Sequence, residues 1–303
     1  MNDKKRVIAL GFFDGVHLGH GALLKRVAQV AGETGAVPAA VTFDTHPDQL
    51  VMGSPVPLIN SPADRAELMR GEYGIQEVIV AHFDDRMMKM PWEDFVTHYL
   101  VRENGAVHLV AGHDFHFGYM GRGNPERLKE KCAQLGLGCD IIPKVEKDGI
   151  TISSTYIRTL IRQGEMERAA EFLGHPHLLT DTVAHGKKLG SRLGFPTVNL
   201  HFQAGVIIPA FGVYATMVTL EDGARYPAVT NVGVRPTVDR DGAVTVEGYL
   251  LGFSGDLYGQ TVRMEFHKFL RGEKQFSSLE DLREEVRHNA QQTIEYFGKY
   301  KQS

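Results

Sequence analysis

Apolar residues in the first half of the chain follow two alternating patterns. Short continuous apolar runs, typical of buried strands, occupy residues 7–10, 37–43, 77–81, 107–111 and 139–142. Around them, apolar residues recur at helical spacing in the stretches 23–31, 62–73, 92–104, 125–135 and 154–163. This alternation predicts an α/β domain built on a doubly wound, mostly parallel sheet, in which ligands bind at the carboxyl ends of the strands.

Beyond residue 174 the pattern changes to β runs separated by turns. These runs cover residues 180–184, 213–220, 226–232, 244–251 and 261–270, and no helical stretch separates them. The pattern predicts a mainly antiparallel β-barrel. Because Gly-His-Pro at 174–176 interrupts the preceding helical pattern, we predict two domains, at 1–175 and 176–303.

A helix is predicted at the end of the chain. Ser277 and Ser278, followed by acidic residues, form a capping signal. Apolar and small residues then recur along one helical face, at Leu282, Val286, Ala290, Thr293, Ile294 and Phe297. We expect this face to pack on the barrel and cover it.

Composition and charge narrow the class of protein. The 303 residues suffice for two domains, and 43% hydrophobic with 23% charged residues is typical of a globular protein. The formal net charge of −4 argues against nucleic acid as a partner. Without an apolar stretch long enough for a signal peptide or a membrane span, we expect no membrane association. Two cysteines that lack Cys-x-x-Cys spacing favour a reducing, cytoplasmic location.

The segment 11–20 directly follows the first predicted strand and leads into a helix. Such a crossover directs backbone N–H groups and the positive end of the helix dipole at one point, which favours a phosphate. His17 and His20 lie three residues apart, so that both imidazoles can donate to one oxygen. Two other interpretations are surface histidines and a metal pair, but no nearby cluster completes a zinc site. The segment therefore predicts phosphate chemistry.

Two further strand ends carry polar or glycine-rich sequence that we expect in the same crevice. At 112–118, two phenylalanines beside an aspartate are typical of a loop that holds an aromatic ligand. At 152–158, hydroxyl side chains begin a helix and Arg158 lies one turn in, which suits a polyphosphate. Plain helix capping is the alternative for these serines.

The segment 185–199 of the second half is rich in glycine and cations, like a phosphate-binding loop. Its lysine follows the first glycine and not the last, so it is not a Walker P-loop. Thr197 and Asn199 alternate along an extended segment and point the same way, which offers two neutral oxygens to a magnesium ion that carries nucleotide phosphates. Ordinary turn and strand capping is the alternative for this pair.

The motifs of the first half together resemble the HxGH nucleotidylyltransferase superfamily, which has a Rossmann-like fold. Gly-x-Phe-Asp-Gly-x-His-x-Gly-His at 11–20, Asp-Phe-x-Phe-Gly at 114–118 and Ile-Ser-Ser-Thr-x-Ile-Arg at 152–158 resemble bacterial FAD synthetase. The cationic loop and Pro-Thr-x-Asn at 196–199 resemble riboflavin kinase, and segments at 211–215, 231–237, 246–247 and 269–276 match it in order. From about residue 6 to 297, the chain is similar to the bifunctional riboflavin kinase and FMN adenylyltransferase family.

The resemblance implies a kinase reaction in the second domain. There, the γ-phosphoryl group of ATP moves to the ribityl hydroxyl of riboflavin with Glu247 as base, and Mg²⁺ accompanies ATP on Thr197 and Asn199. Further ATP contacts are implied at Gly186, Lys187, Gly190, Arg192 and Gly194. Flavin contacts are implied at Arg271, Glu273 and Phe276.

For the first domain, the resemblance implies that the FMN phosphate attacks the α-phosphorus of a second ATP, which gives FAD and pyrophosphate. His17 and His20 are the implied catalytic residues. The implied ATP contacts are Gly11, Phe12, Asp14, Gly15, Gly19, Ser153, Ser154, Thr155 and Arg158. Asp114, Phe115 and Phe117 are implied to place the flavin.

Three residues depart from the usual family pattern: Thr45, Ser191 and Asn289. Ser191 stands in the kinase loop where the family usually has arginine. One alternative is therefore an FMN adenylyltransferase with a weakened kinase domain. Another is a flavin-binding protein without turnover. The expected partners are the small molecules riboflavin, FMN and ATP, and the sequence leaves the oligomeric state open.

Overall fold

The computed structural model describes residues 4–46, 49, 55–184, 197–234 and 244–300. By its internal packing the chain divides into two compact units, Met1–Ser154 and Thr155–Ser303. Within the described ranges, the helices are too short or too polar to traverse a lipid bilayer.

The first unit alternates strands and helices, as its sequence predicts. Its strands are β1 Arg6–Leu10, β2 Val37–Phe43, β3 Glu77–Ala81, β4 Ala106–Gly112, β5 Gly138–Ile142, β6 Glu146–Lys147 and β7 Ile150–Thr151. Its helices are α1 Leu18–Thr34, α2 Pro62–Tyr73, α3 Asp85–Met88, α4 Trp92–Asp94, which continues as a π-helix over Phe95–Glu103, and α5 Pro125–Leu135.

Five of these strands form one parallel sheet in the order β3-β2-β1-β4-β5. The predicted doubly wound sheet is thus confirmed. Every residue of β1 is buried, which explains why all of its residues after Arg6 are apolar. The chain reverses its direction of winding between β1 and β4, and the carboxyl ends of these two strands border a crevice suited to a ligand.

Helix α2 illustrates how local sequence determines an element. The hydroxyl Oγ of Ser61 accepts a hydrogen bond from the Asp64 N–H at 3.1 Å, and Pro62 occupies the first helical position. Gly74 ends the helix in the left-handed conformation. These start and stop signals were all legible in the sequence, and the predicted bounds are confirmed.

The sequence pattern does not predict the short helix α3, the π-helix or the hairpin of β6 and β7. Residues 95–103 form a π-helix, a rare element whose i→i+5 hydrogen bonds the apolar pattern does not reveal. Strands β6 and β7 pair as a small antiparallel hairpin, and two residues each are too few to produce a strand pattern.

The second unit begins with two helices and continues as β structure. Its helices are α6 Ser154–Gln163, α7 Met166–Leu173 and α8 Leu279–Tyr300. Its strands are β8 His177–Thr182, β9 Thr197–Leu200, β10 Gly212–Thr219, β11 Arg225–Val234, β12 Val244–Leu250 and β13 Thr261–Arg271. The division between the units lies at the start of α6, whereas the domain boundary predicted from the sequence is residue 175.

The six strands form an antiparallel sheet in the order β8-β13-β10-β11-β12-β9. An isolated bridge between Ala184 and Asn199 joins the two edges, with the Ala184 N–H donating to the Asn199 carbonyl at 3.0 Å. The predicted antiparallel barrel is confirmed. Strand β9 occupies the segment that the sequence predicts as extended.

Helix α8 packs on β10 and β11 and covers this part of the barrel, as predicted. Asn289, Thr293 and Phe297 are buried on its inner side. The prediction for Ile294 is wrong, because this side chain is 52% exposed. One residue beyond Thr293, it lies about 100° further around the helix and leaves the buried face.

Candidate active sites

The segment between β1 and α1 has a backbone of unusual geometry. Phe13 and Val16 adopt the left-handed region at φ 59° and 42°, and Gly15 does so at 81°. A β-branched residue such as Val16 rarely adopts this conformation, and such outliers gather at functional sites. Helix α1 then begins with His17 as its N-cap, whose Nδ1 accepts from the His20 N–H at 3.2 Å.

The two predicted histidines lie against each other. Their rings stack with centroids 3.6 Å apart and an angle of 12° between the planes. A Cβ at Gly19 would lie 3.1 Å from the His17 ring, so the glycine leaves room for this ring. Because Nδ1 of His17 accepts a hydrogen bond, a neutral His17 carries its proton on Nε2.

His20 is also held in its neutral form. Burial of its ring lowers its pKa well below the ordinary value, and the nearby His17 and Arg65 lower it further. Its Nδ1 is buried and has no hydrogen-bond partner among the described residues. The crossover thus presents two stacked imidazoles, of which His20 is held neutral.

A cavity of about 490 Å³ opens beside these histidines. It brings together predicted residues from three separate segments of the first unit. Those that line it are Gly11, Phe12, His17, Gly19, His20, Asp114, Phe115, Ser153 and Ser154. Thr155 and Arg158 lie on α6 in the second unit, where Thr155 is exposed and Arg158 is buried.

Asp14 and Gly15 do not line this cavity. The Asp14 side chain is buried, and its Oδ1 accepts from the Ile59 N–H at 2.8 Å. The Asp14 carbonyl accepts from the Ser154 hydroxyl at 2.9 Å. Both contacts tie the strained crossover to distant segments, so the described contacts of Asp14 fix the shape of the turn.

The aromatic loop after β4 offers an open carboxylate beside stacked rings. The Asp114 side chain is 81% exposed. Phe115 and Phe117 stack with centroids 5.4 Å apart, and Phe117 is buried away from the cavity. The loop therefore presents Asp114 and the ring of Phe115, while Phe117 supports them from behind.

Two side chains at this cavity, His46 and Lys144, have no role in the sequence-based prediction. The His46 ring lies 4.5 Å from that of Phe12. Lys144 pairs with Glu146 at 2.6 Å. Each follows the carboxyl end of a strand, β2 or β5, so the rule that ligands bind at this edge of the sheet was the available signal.

The second unit has a separate cavity of about 330 Å³. The predicted residues that line it are Thr197, Glu247, Arg271, Glu273 and Phe276. The cavity is also lined by residues that the sequence left without a role, among them Asn231, Tyr249 and Asn289. Asn289 was noticed only as a departure from the family pattern.

The strand register explains why Glu247 and Asn199 are neighbours. Glu247 of β12 pairs with Asn231 of β11 on one side and with Asn199 of β9 on the other. Tyr249 pairs with Thr197 two residues along. Because side chains alternate along a strand, Thr197, Asn199 and Glu247 share one face of the sheet.

Arg271 ends β13 at the rim of this cavity and is held by helix α8. Its Nε lies 3.2 Å from Asn289 Oδ1 and 3.2 Å from Glu285 Oε1. Lys274 pairs with the same Glu285 at 2.9 Å, and this contact lowers the pKa of the carboxyl group. Both cations lie within 6 Å of the Phe276 ring centre, a distance typical of cation–π contacts.

Comparison with known proteins finds a separate family model in each half of the chain. A family model described as FAD synthetase matches residues 1–156, and one described as riboflavin kinase matches residues 173–297. The bifunctional riboflavin kinase/FMN adenylyltransferase of Listeria monocytogenes is 35% identical over 98% of this chain and 94% of its own length. That of Bacillus subtilis is 34% identical over 97% of this chain and 93% of its own length.

The chain belongs to the bifunctional riboflavin kinase/FMN adenylyltransferase family. A crystal structure described as a macrolide-efflux protein from Streptococcus pneumoniae is also similar, at a TM-score of 0.84 and 28% identity. The match covers 97% of this chain and 95% of that one. Its description as an efflux protein belongs to that protein alone.

Part of the family's motif set lies outside the described residues. This applies to five residues predicted to bind ATP in the kinase loop, Gly186, Lys187, Gly190, Arg192 and Gly194, and to the departure at Ser191. Their roles stay predictions. The described part of the kinase site consists of Glu247 with its strand neighbours Asn199 and Asn231, and of the residues around Arg271 at the rim of the cavity.

Proposed function

We propose that this chain makes flavin cofactors in two steps, riboflavin to FMN in the second unit and FMN to FAD in the first. The observation that carries the proposal is that each matched family region contains its own cavity with different chemistry. One cavity presents two stacked imidazoles at a strand–helix crossover. The other presents Glu247 within a row of amide side chains.

In the kinase step, an alcohol oxygen of riboflavin attacks the γ-phosphorus of ATP, and the bond from that phosphorus to the bridging oxygen of ADP breaks. The hydroxyl proton passes to Glu247, which lines the cavity. A positioned base of this kind contributes roughly 10²–10⁴-fold to the rate. Arg271, Glu273 and Phe276 line the same cavity and form the proposed flavin contacts.

Mg²⁺ bound with ATP fits the donors available beside Glu247. Thr197 and Asn199 offer neutral oxygens on the face that carries Glu247, and hard oxygen donors are those that Mg²⁺ prefers. Bound there with the nucleotide, the ion would neutralise charge on the phosphates. With only two protein ligands proposed, its other ligands would come from the nucleotide phosphates and water.

In the adenylyl step, a phosphate oxygen of FMN attacks the α-phosphorus of ATP and pyrophosphate leaves. The phosphate is already ionised near neutral pH, since its second pKa is about 6, so no base is required. The task that remains is to orient the reactants and to stabilise charge on the α-phosphate. The Nε2 proton of His17 and the neutral ring of His20 are the proposed donors.

The remaining assignments of the adenylyl site follow from its chemistry. We assign the β- and γ-phosphates to Ser153, Ser154, Thr155 and Arg158, and the flavin to Asp114 and Phe115 with Phe117 supporting them from behind. Gly11, Phe12 and Gly19 stay proposed ATP contacts, whereas the proposed part of Asp14 and Gly15 in ATP binding is to shape the turn beside the cavity. The functional domains are proposed at 1–175 and 176–303. A cytoplasmic location is supported by the free thiols of Cys132 and Cys139.

The proposal is tested by incubating the purified protein with riboflavin, ATP and Mg²⁺ and separating the flavins by chromatography. FMN that appears first and FAD that follows are expected. If only added FMN is converted to FAD, the protein is an adenylyltransferase with a weakened kinase, the alternative that the Ser191 departure favours. Unchanged riboflavin and unchanged FMN would overturn the proposal and leave a flavin-binding protein.

A further inference from the structure

Arg65 is a cation buried in the first unit, directly behind the histidine crossover. It lies on α2 and is 1% exposed. No carboxylate of the described residues forms a salt bridge with it, and its Nε has no hydrogen-bond partner there. A buried charge without a paired partner is costly, so its position calls for an explanation.

The guanidinium contacts are directed at two strand ends. Its Nη1 donates to the Phe12 carbonyl at 2.5 Å and to the Thr42 hydroxyl at 3.1 Å. Its Nη2 donates to the Phe43 carbonyl at 3.3 Å. The guanidinium carbon also lies 4.3 Å from the centre of the Phe12 ring. Arg65 thereby joins the turn after β1 to the end of β2.

The turn that Arg65 holds is the strained one. Phe13 and Val16 keep positive φ angles there, and such conformations persist only where the surroundings determine them. Thr42 donates a second hydrogen bond to the Phe12 carbonyl, at 2.8 Å. Phe12 precedes the strained segment, and His17 and His20 follow it. A shift of the Phe12 carbonyl would therefore move the histidines.

The charge of Arg65 acts on the same segment. Burial lowers its pKa to about 10, and Asp14 and Asp44 oppose this effect, so the side chain stays charged at neutral pH. That charge is one of the causes that lower the pKa of His20, after burial and His17. The other titratable side chains that line the cavity are His46, His113, Asp114, His116 and Lys144.

We propose that Arg65 is a positioning residue for adenylyl transfer, whose guanidinium fixes the Phe12 carbonyl so that the turn holds His17 and His20 in their reactive placement. The inference rests on the proposed function of the first unit. It adds a residue that none of the sequence motifs contains. A second consequence is that the Arg65 charge helps to keep His20 neutral.

The test compares Arg65→Met and Arg65→Lys with the parent chain, and Arg70→Met is the matched control. Arg70 lies on the same helix and is exposed. For each protein, kcat and KM for FMN adenylylation and for riboflavin phosphorylation are measured. The titration of His20 is followed by NMR, with its ring signals assigned through His20→Gln.

Arg65→Met is expected to lower kcat of adenylylation about 100-fold, the usual effect of a small misplacement of reacting groups, with a smaller change in KM for ATP. Kinase activity is expected to stay within twofold. The apparent pKa of His20 rises in Arg65→Met and stays near the parent value in Arg65→Lys, which keeps the charge. Arg65→Lys loses part of kcat, because a lysine cannot hold both strand ends with a planar fork.

Three results would overturn the inference. The first is that kcat of adenylylation in Arg65→Met stays within threefold of the parent value. The second is that the titration of His20 does not change in Arg65→Met. The third is that Arg65→Lys loses adenylylation and kinase activity equally. The last would show a general folding role. If the parent itself forms no FAD from FMN, the proposed function fails, and the NMR titration still decides whether Arg65 controls His20.

Discussion

Glu247 and Asn199 are directly paired across the antiparallel strands β12 and β9. Paired positions in such a ladder bring their Cβ atoms to about 4.5–5.5 Å. The proposed base and a proposed magnesium ligand are therefore neighbours on one surface. Asn231 extends the same row on the other side of Glu247. Substitutions in this row of side chains therefore test the kinase proposal directly.

Replacing Glu247 by Gln keeps the shape of the side chain and removes its ability to accept the hydroxyl proton. We expect the rate of FMN formation to fall roughly 10²–10⁴-fold, while conversion of FMN to FAD is unchanged. Both rates are measured on one preparation by chromatography of the flavins. An equal loss of the two activities would show that the assignment of reactions to units is wrong.

Thr197→Val tests the magnesium proposal, because it removes a hydroxyl oxygen with little change of shape. The Mg²⁺ concentration that gives half-maximal kinase activity should rise about tenfold, the equivalent of roughly 1.4 kcal/mol. The magnesium dependence of adenylylation in the same protein provides the control and should not move. A lower kcat at an unchanged magnesium midpoint would instead assign Thr197 a role apart from the ion.

His17 has two separable roles, the N-cap of α1 and a donor to the nucleotide. His17→Ala removes both, so adenylylation should be lost and the first unit destabilised by about 1 kcal/mol, the typical effect of losing a cap. His17→Asn restores a cap acceptor but not the Nε2 proton. It should recover the stability, measured by urea unfolding with Trp92 fluorescence, but not the activity. Kinase activity should survive both substitutions, and recovery of adenylylation in His17→Asn would contradict the donor role.

Much of the fold was predictable because local signals and burial agree. Ser61 and Gly74 mark both ends of α2, and the apolar runs of β2 and β3 match their observed bounds. The predictions failed where several structures satisfy one pattern. Ile294 continues an apolar stripe in sequence but lies just beyond the buried face, and the π-helix differs from an α-helix in backbone hydrogen bonds that the apolar pattern does not reveal.

The site was predictable only as far as its residues lie in local motifs. His17 and His20 lie in one short segment, so their proximity follows from helix geometry. Arg65 acts on Phe12 from 53 positions away, and Asn231 meets Glu247 through strand register. Such contacts arise from topology, and one sequence by itself does not specify which distant residues meet.

His177 predicts how the second unit responds to acid. It is 0% exposed, and neither ring nitrogen has a hydrogen-bond partner among the described residues. Its ring lies 5.7 Å from that of Phe266 and 6.4 Å from that of Phe202. Burial, and then the nearby His175, lower its pKa to about 3.

The unfolded chain binds a proton at His177 below its ordinary pKa of about 6.5, whereas the folded chain does so only near 3. The contribution of His177 to the free energy of unfolding is therefore at its full value above about pH 6.5 and is lost as the pH falls towards 3. Between pH 7 and 5 the loss amounts to about 2 kcal/mol.

His177→Phe should remove this pH dependence and, because it removes unpaired buried nitrogens, should not destabilise the unit at pH 7. Hydrogen exchange of peptides from β8 and β13 in urea measures the effect, with the exposed His288→Gln as control. If the free energy of unfolding falls equally with decreasing pH in the parent and in His177→Phe, this prediction is contradicted.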